Sequence, residues 1–245
     1  MKRTLFSLIL LLILSTAFIS CSVVGGRISH ALGGEEDYIM NEESFEKGIE
    51  NIDIDWKSGD VSVKAWDGDQ IIVREKSATS LTSRTKMKAK AQEGKLTVNF
   101  ASKGVWMLPL LFKKDLEVLI PSSWDMKNIT INTASSPVRI SNLSTLGLNV
   151  KSVSGTIFLD NMGVVGDTTL KTVSGDVTAT LKAGVMFRSE STSGVIKAKI
   201  GGKVVAAETK STSGSVSLMV DDIGRISASS ASGPVELEVG GKADY

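Results

Sequence analysis

Apolar and polar residues alternate with a period of two along the second half of the chain, and the alternation restarts after each of a series of Ser-Gly pairs. The segments Ile196-Lys197-Ala198-Lys199-Ile200 and Val235-Glu236-Leu237-Glu238-Val239 show it most clearly. Alternation of this kind buries one face of a β-strand. A second apolar pair precedes each Ser-Gly, as Leu148 and Val150 do before Gly155. The pattern therefore predicts units of two short strands joined by a turn.

The Ser-Gly pairs recur at nearly constant spacing. Counted from Ser136, the successive steps are 19, 20, 19, 20 and 19 residues. Stacking such units closes a core that one unit alone cannot form. The spacing predicts an all-β, single-stranded parallel β-solenoid with about 19–20 residues per coil; a β-sandwich or an up-and-down sheet with regular hairpins is the alternative. The predicted structural turns are Ser154-Gly155, Ser174-Gly175, Ser193-Gly194, Ser213-Gly214 and Ser232-Gly233, with Ser135-Ser136 one step earlier.

Hydroxyl residues mark each turn at two positions. The residue three before the Gly position is always Ser or Thr, and the residue immediately before it is always Ser. Both positions fall in the same two-residue alternation as the inward apolar residues, so we expect two inward columns of hydroxyls. Each hydroxyl would donate a hydrogen bond to one neighbouring hydroxyl and accept one from another. The Gly is expected to supply a tight bend with positive φ.

The first half of the solenoid, residues 45–125, looks like a degenerate version of the regular repeats in residues 126–240. Gly59 lies 77 residues before Ser136, which is about four periods. A basic insertion spans Thr82 to Lys95. The residues that keep the repeat register are Ile52, Ile54, Trp56, Ser58, Gly59, Val61 and Val63, and the further strand candidates are Gln70–Glu75, Lys95–Phe100 and Leu116–Ile120.

The N-terminal residues form a targeting signal. Lys2 and Arg3 precede an apolar stretch, Leu5 to Ile19, that is shorter than a transmembrane helix needs. Ile19-Ser20-Cys21 resembles a bacterial lipobox, in which the Cys receives diacylglycerol. We therefore predict a signal helix in residues 1–20, lipidation at Cys21, a flexible tether over residues 21–44 and a β-solenoid over residues 45–245. A plain signal peptide or an uncleaved anchor is the alternative.

Composition narrows the classes of partner. The chain has 28 Lys and Arg against 27 Asp and Glu, so nothing in its charge favours nucleic acid. Its single Cys excludes an internal disulfide and a cysteine zinc cluster, and its single His, His30, lies in the tether. No metal or other cofactor is expected.

Catalytic patterns are weak. Asp160 and Asp176 fall in different columns, and Asp221-Asp222 lies in a connection between strands. Ser83-Arg84-Thr85-Lys86 has a Ser-x-x-Lys spelling that a Ser- and Lys-rich loop produces by chance. Because general acid–base catalysis needs convergent groups, we expect no enzyme activity, with a polysaccharide-active enzyme as the minor alternative.

Two surface features are candidate binding sites. An apolar run between Lys103 and Lys113 is either a cap over the core or an exposed tip that contacts a membrane or a partner. A column of Lys151, Lys171 and Lys210, interrupted by Glu190, is either a binding stripe or a solvated face. The residues of the candidate tip are Trp106, Met107, Leu108, Leu110, Leu111 and Phe112.

The segment Trp56 to Val63, the run Leu116 to Pro121 and the later Thr/Ser-x-Ser-Gly-x-Val repeats resemble a bacterial adhesin-like β-strand-repeat family of unknown function, related to the GIN domain of autotransporter-adhesin heads. The resemblance covers about residues 45–240. It implies an envelope protein, commonly lipidated, with a β-helical body and no assigned catalytic residues.

These features together predict an exported, lipid-anchored protein of the bacterial cell envelope, on the outer membrane if the cell has one. Its solenoid would serve as an adhesin-like binding or structural module without catalysis. The expected partners are the membrane, through the lipid, and an envelope protein or a surface polysaccharide. An envelope-stress or signalling accessory with a regulatory docking surface is the alternative function.

Overall fold

The computed structural model describes residues 39–102 and 113–240. All of their regular secondary structure is β. The strands are β1 (Ile39–Phe45), β2 (Asn51–Ser58), β3 (Val61–Trp66), β4 (Ile71–Ser77), β5 (Lys88–Gln92), β6 (Lys95–Asn99), β7 (Asp115–Pro121), β8 (Met126–Ser135), β9 (Val138–Ser141), β10 (Ser144–Ser152), β11 (Ile157–Thr172), β12 (Val177–Leu181), β13 (Gly184–Ser191), β14 (Ile196–Ser211), β15 (Val216–Ser230) and β16 (Val235–Val239).

The strands form two faces, one before and one after each Ser-Gly turn. Sheet I runs β5-β6-β2-β8-β10 and continues through the second part of β11, then β13 and the second parts of β14 and β15. Sheet II runs β1-β4-β7-β3-β9 and continues through the first part of β11, then β12, the first parts of β14 and β15, and β16. The long strands β11, β14 and β15 bend from one sheet into the other.

This architecture confirms the predicted parallel β-solenoid. All described strand pairs between the β6–β2 and β7–β3 pairs and the C-terminal strand β16 are parallel. Equivalent repeat positions lie in register, as Val177 does with Ile196. Antiparallel pairing occurs in the described residues only where β1, β4 and β5 close the N-terminal end. The alternative sandwich of hairpins is therefore wrong. The predicted signal helix lies outside the described residues.

The apolar residues of both sheets meet in one continuous core. Ile131 and Val150 from sheet I and Val138 and Ile157 from sheet II are fully buried. The alternating pattern holds within the strands: β12, for example, alternates buried and outward residues along its whole length. Hydrophobic burial on the inward rows is therefore the main term that holds the two sheets together.

The coils do not stack in chain order at the N-terminal end. The β2–β3 coil lies directly beside the β8–β9 coil, with Ile52 opposite Ile129 and Val61 opposite Val138. The interpretation of Gly59 as four periods from Ser136 is therefore wrong. A coil can pair with a neighbour on each of its two edges. On one edge of the β2–β3 coil lie β6 and β7, and on the other edge lie β8 and β9, which come later in the chain.

The N-terminal boundary of the solenoid also differs from the prediction. β1 pairs antiparallel with β4 from Ile39 to Phe45, so residues 39–44 belong to the sheet and not to the tether. The sequence did not predict this strand because its acidic residues, Glu42 and Glu43, are typical of a solvated linker. Pairing supplies hydrogen-bond partners to the free edge of β4, which favours the strand over a solvated linker.

A ladder of hydroxyls and main-chain groups joins consecutive coils. The Thr172 Oγ1 hydroxyl accepts a hydrogen bond from the Gly175 N–H (3.0 Å) and donates one to the Gly155 carbonyl in the preceding coil (3.4 Å). The hydroxyls of Ser191, Ser211 and Ser230 repeat both bonds. The inward column three residues before the Gly therefore exists, but its partners are main-chain groups of the turns rather than neighbouring hydroxyls.

The second predicted hydroxyl column is wrong. Ser154, Ser174 and Ser193, each immediately before the Gly, are exposed. The chain turns the corner between the two sheets at this point, so the period-2 parity of the strand no longer applies. These Ser residues form an outward row along one long edge of the solenoid.

The Gly of each turn is required by close packing and not by positive φ. Neither Gly175 nor Gly194 has a positive φ. The described glycines with a positive φ are Gly48, Gly59, Gly94 and Gly202. A Cβ on Gly175 would lie 2.1 Å from the Gly155 carbonyl oxygen, and the same clash recurs from coil to coil. The prediction of a positive φ is therefore wrong for the repeat turns.

We expect Gly175→Ala to destabilise the protein by about 1–3 kcal/mol, because the added methyl group overlaps a main-chain carbonyl of the neighbouring coil. Gly201→Ala is the matched control, since its nearest non-neighbouring atom would lie 3.6 Å away. Urea unfolding of both variants checks the difference. Equal stability of the two would contradict the close-packing role.

We expect Thr172→Val to cost about 1–3 kcal/mol, because it keeps the shape of the side chain while leaving the Gly175 N–H and the Gly155 carbonyl without the hydroxyl. Ser174→Ala, two residues away on the exposed row, should change the midpoint little. Thermal unfolding followed by circular dichroism distinguishes the two. A larger loss of thermal stability in Ser174→Ala than in Thr172→Val would contradict the assignment of Thr172 to the inward column and Ser174 to the exposed row.

Candidate functional site

A buried ion pair lies at the N-terminal end of the solenoid. The Lys114 ammonium contacts the Glu75 carboxylate, and the side chains are 1% and 0% exposed. The ammonium also donates to the carbonyl oxygens of Thr85 (2.6 Å) and Phe100. Burial lowers the pKa of Lys114, and the Glu75 carboxylate opposes that shift. The lysine thus connects the start of β7 to β4, to the loop before β5 and to the end of β6.

The Glu75 carboxylate is satisfied from several sides. Besides Lys114, it accepts hydrogen bonds from the Met87 N–H (3.0 and 3.1 Å) and from the Asn41 side-chain amide (2.6 Å) on β1. A buried charge is tolerated when it is paired and hydrogen-bonded in this way. Both side chains are almost fully buried, so the cluster joins the segments that pack at this end of the solenoid.

Aromatic rings complete the surroundings of the lysine. The Lys114 ammonium lies 4.1 Å from the ring centroid of Phe100 and 5.2 Å from that of Trp56. The two rings meet edge to face at 5.0 Å, and the Trp56 indole N–H donates to the Lys114 carbonyl (2.8 Å). Sequence reasoning missed this cluster because Lys113-Lys114 reads as a solvated flank. Only Lys113 is exposed.

Two sets of residues singled out in the sequence lie outside the described residues: the lipidation candidate Cys21 and the candidate tip. The tip residues are Trp106, Met107, Leu108, Leu110, Leu111 and Phe112. Their proposed roles stay predictions. The turn pairs from Ser154-Gly155 to Ser232-Gly233 are described and line one long edge of the solenoid.

The predicted lysine column is present on the outer side of sheet I. Lys151 lies opposite Lys171, which lies opposite Glu190, which lies opposite Lys210. Lys171 and Glu190 form an ion pair at 2.8 Å. Both partners are about two-fifths exposed, so the pair is solvated and contributes little to stability.

In the residues that the structure describes, no strand covers the C-terminal end of the solenoid beyond β16. The inward row of β16 is Val235, Leu237 and Val239, and these side chains are 44%, 45% and 47% exposed. The equivalent residues one coil earlier, such as Val216 and Leu218, are buried. Among the described strands β16 pairs with β15 alone. Within the described chain, the last coil therefore presents partly exposed apolar side chains and a main-chain edge that no other strand pairs with.

A shallow hollow lies on the outer side of sheet II next to the open end. Its volume is about 550 Å³, and Thr178, Lys197, Lys199, Ser217 and Glu236 are among its lining residues. Apolar residues such as Met219 and Val235 also line it, so the hollow offers apolar as well as polar and charged contacts to a partner. The hollow extends the open end into a larger exposed surface.

Metal binding and membrane spanning are not indicated in the described part of the chain. No group of three or more His, Cys, Asp or Glu side chains within residues 39–102 and 113–240 is placed to hold a metal ion. A search of the same residues finds no helix with the length and apolar character needed to cross a membrane.

The geometry defines a two-sheet parallel β-solenoid, a repeat scaffold that presents extended outer surfaces. The chain belongs to the Toastrack DUF4097 family, whose model matches residues 49–245. Among curated proteins none matches this chain.

Solved structures share the fold at low sequence identity. A "putative cell adhesion protein" from Clostridium sporogenes is 10% identical, with a TM-score of 0.50 over 82% of this chain and 98% of its own. A "putative adhesin" from Bacteroides fragilis is 12% identical, with a TM-score of 0.50 over 82% of this chain and 96% of its own. The predicted membership of an adhesin-like family of unknown function is confirmed.

We expect Glu75→Gln to destabilise the protein by about 3–5 kcal/mol, because it leaves the Lys114 charge buried without its counter-ion. The double variant Glu75→Met/Lys114→Met should recover only part of the loss, since no charge is then buried but the Met87 N–H and the Thr85 and Phe100 carbonyls lose their partners. Lys127→Met, which breaks an exposed ion pair with Glu50, should cost less than about 1 kcal/mol. Urea unfolding measures all three, and a Glu75→Gln variant as stable as the parent would contradict the role of the pair.

Proposed function

We propose that this protein is an exported, lipid-anchored and non-catalytic binding module of the bacterial cell envelope. The lipid on Cys21 would hold the protein at a membrane, and the solenoid would carry the binding surface. Membership of the Toastrack DUF4097 family and the adhesin names of structural neighbours support an adhesin-like role.

The difference between the inner and outer rows of sheet II carries this proposal. The inward row repeats one kind of residue from coil to coil, whereas the outward row beside it does not repeat. From β9 to β16 the inward row is Val138, Ile157, Val177, Ile196, Val216 and Val235, and the outward row is Arg139, Phe158, Thr178, Lys197, Ser217 and Glu236. A repeated interior with a varied exterior is what a scaffold for recognition requires.

The arrangement of charged groups supports binding rather than catalysis. The one buried ion pair among the described residues joins Lys114 to Glu75 and is closed to solvent. On the outer side of sheet I, charges such as Arg188 and Glu208 pair across neighbouring coils (3.0 Å). General acid–base catalysis needs titratable groups that converge on one accessible atom, and paired surface charges do not supply them.

The lipid anchor has its support in the sequence. Cys21 is the only Cys of the chain and directly follows the apolar leader. A single lipid chain binds a membrane only marginally, so stable anchoring needs the multiple acyl chains of a lipoprotein or a second contact. The proposed anchor would orient the N-terminal end of the solenoid toward the membrane and leave the open C-terminal end facing away from it.

We expect metabolic labelling with a palmitate analogue to mark the parent protein and not Cys21→Ala, which lacks the acceptor thiol. Ser22→Ala is the matched control and should keep the label. The labelled parent should sediment with membranes, and affinity capture from its own solubilised envelope should retain a protein or polysaccharide through the solenoid.

Absence of label in the parent would contradict the anchor. Capture of nothing beyond membrane lipid would contradict the binding role. Recovery of a surface polysaccharide or a structural envelope protein fits adhesion, whereas recovery of a sensor or regulator would assign the same module to signalling.

A further inference from the structure

The two ends of the solenoid are finished differently. At the N-terminal end, antiparallel strands cover the last parallel strands, β1 and β4 on sheet II and β5 on sheet I. At the C-terminal end β16 is the last strand of the parallel ladder among the described residues, and the inward side chains of its row are exposed. Ile226 and Ala228 on sheet I are also only partly buried there.

We propose that the open edge of β16 binds an extended segment of a partner protein in which apolar residues alternate with Lys or Arg. The segment would add one more strand to sheet II. In this mode of recognition main-chain hydrogen bonds supply affinity, and alternate side chains supply specificity. This inference rests on the proposed binding role and names the surface and the chemistry of the partner.

The apolar half of the pattern follows from the exposed row. Val235, Leu237 and Val239 would each meet one inward residue of the added strand, as they meet Val216, Leu218 and Val220 on the other side. The equivalent rows inside the stack are buried by such neighbours. Covering this row would remove apolar surface from water, which is favourable.

The basic half of the pattern follows from charge. Glu236 and Glu238 point outward between the apolar residues, and on β15 they lie opposite Ser217 and Met219, which carry no charge. On sheet I, opposite charges meet across neighbouring strands, as Lys171 meets Glu190. An added strand with basic residues opposite Glu236 and Glu238 would form the same cross-strand pairs.

A second copy of this chain does not fit the edge as well. Two β16 strands that pair antiparallel about Leu237 would place Glu236 of one copy opposite Glu238 of the other. Like charges directly opposite each other destabilise a strand pair. The charge pattern therefore favours a different, basic partner.

The chain itself contains the complementary pattern. Ile196-Lys197-Ala198-Lys199-Ile200 forms the first part of β14 on sheet II and pairs parallel with Val216–Val220 of β15. This segment shows that a strand alternating apolar residues with lysines fits the same sheet. A peptide with the sequence of residues 195–201 is thus a defined probe for the open edge.

The test is fluorescence anisotropy of that labelled peptide with the full-length protein in detergent. We expect saturable binding that weakens as salt is added, and at least about tenfold weaker binding of a control peptide with both lysines replaced by Glu. The variant Glu236→Lys/Glu238→Lys should reverse the preference. Both positions are exposed, so the variant should keep its melting temperature, which circular dichroism verifies.

No binding of either peptide, or equal binding of both, would overturn the proposal. Concentration-dependent self-association by sedimentation that Leu237→Glu abolishes would also overturn it, in favour of a second copy as the occupant. These outcomes do not depend on lipidation at Cys21, so failure here and failure of the proposed envelope anchor can be told apart.

Discussion

The close approach of neighbouring coils at the Ser-Gly turn is the packing constraint on which the regular repeats of the solenoid depend. The carbonyl of Gly155 occupies the space that a Cβ of Gly175 would need. The Thr172 hydroxyl, three residues before, uses the same contact to bond both turns. Because a Cβ at Gly155, Gly175, Gly194, Gly214 or Gly233 would overlap the preceding coil and the hydroxyl lies at a fixed offset, these coils are held in register. In the β8–β9 coil, which stacks on the β2–β3 coil, the buried residue Ser136 takes the Gly position.

A parallel stack that grows by one coil at a time has two ends, and each end leaves main-chain groups and apolar residues without neighbours. In the described residues, this protein closes the N-terminal end with antiparallel strands and a buried Lys114–Glu75 ion pair. The hydrogen bonds of this pair join five separate segments: β1, β4, the loop before β5, the end of β6 and the start of β7. The C-terminal end has no equivalent cover in the described residues, and we propose it as the surface that binds a partner strand.

Inward and outward residues of the solenoid are under different constraints, so the residues that define the fold are not those that would define a binding surface. Inward residues must fill the same core space in every coil, whereas outward residues such as Arg139, Phe158 and Lys197 differ from coil to coil. A shared fold with solved structures at 10–12% identity therefore concerns the interior. The surfaces proposed to bind a partner are the outer rows and the ends, where the repeat places no constraint on residue type.

The sequence by itself determined the solenoid, its coil length and the inward apolar rows, because strand alternation and a fixed repeat are local properties that survive in any stacking order. It also identified the hydroxyl three residues before each Gly. Only the tertiary structure decided that Ser174 faces outward at the corner, that the turn glycines serve close packing, and that Gly59 lies beside Ser136. The burial of Lys114 and the openness of β16 likewise depend on which segments are neighbours in space. Sequence spacing carries no information about such neighbours once the chain can add a coil to either edge.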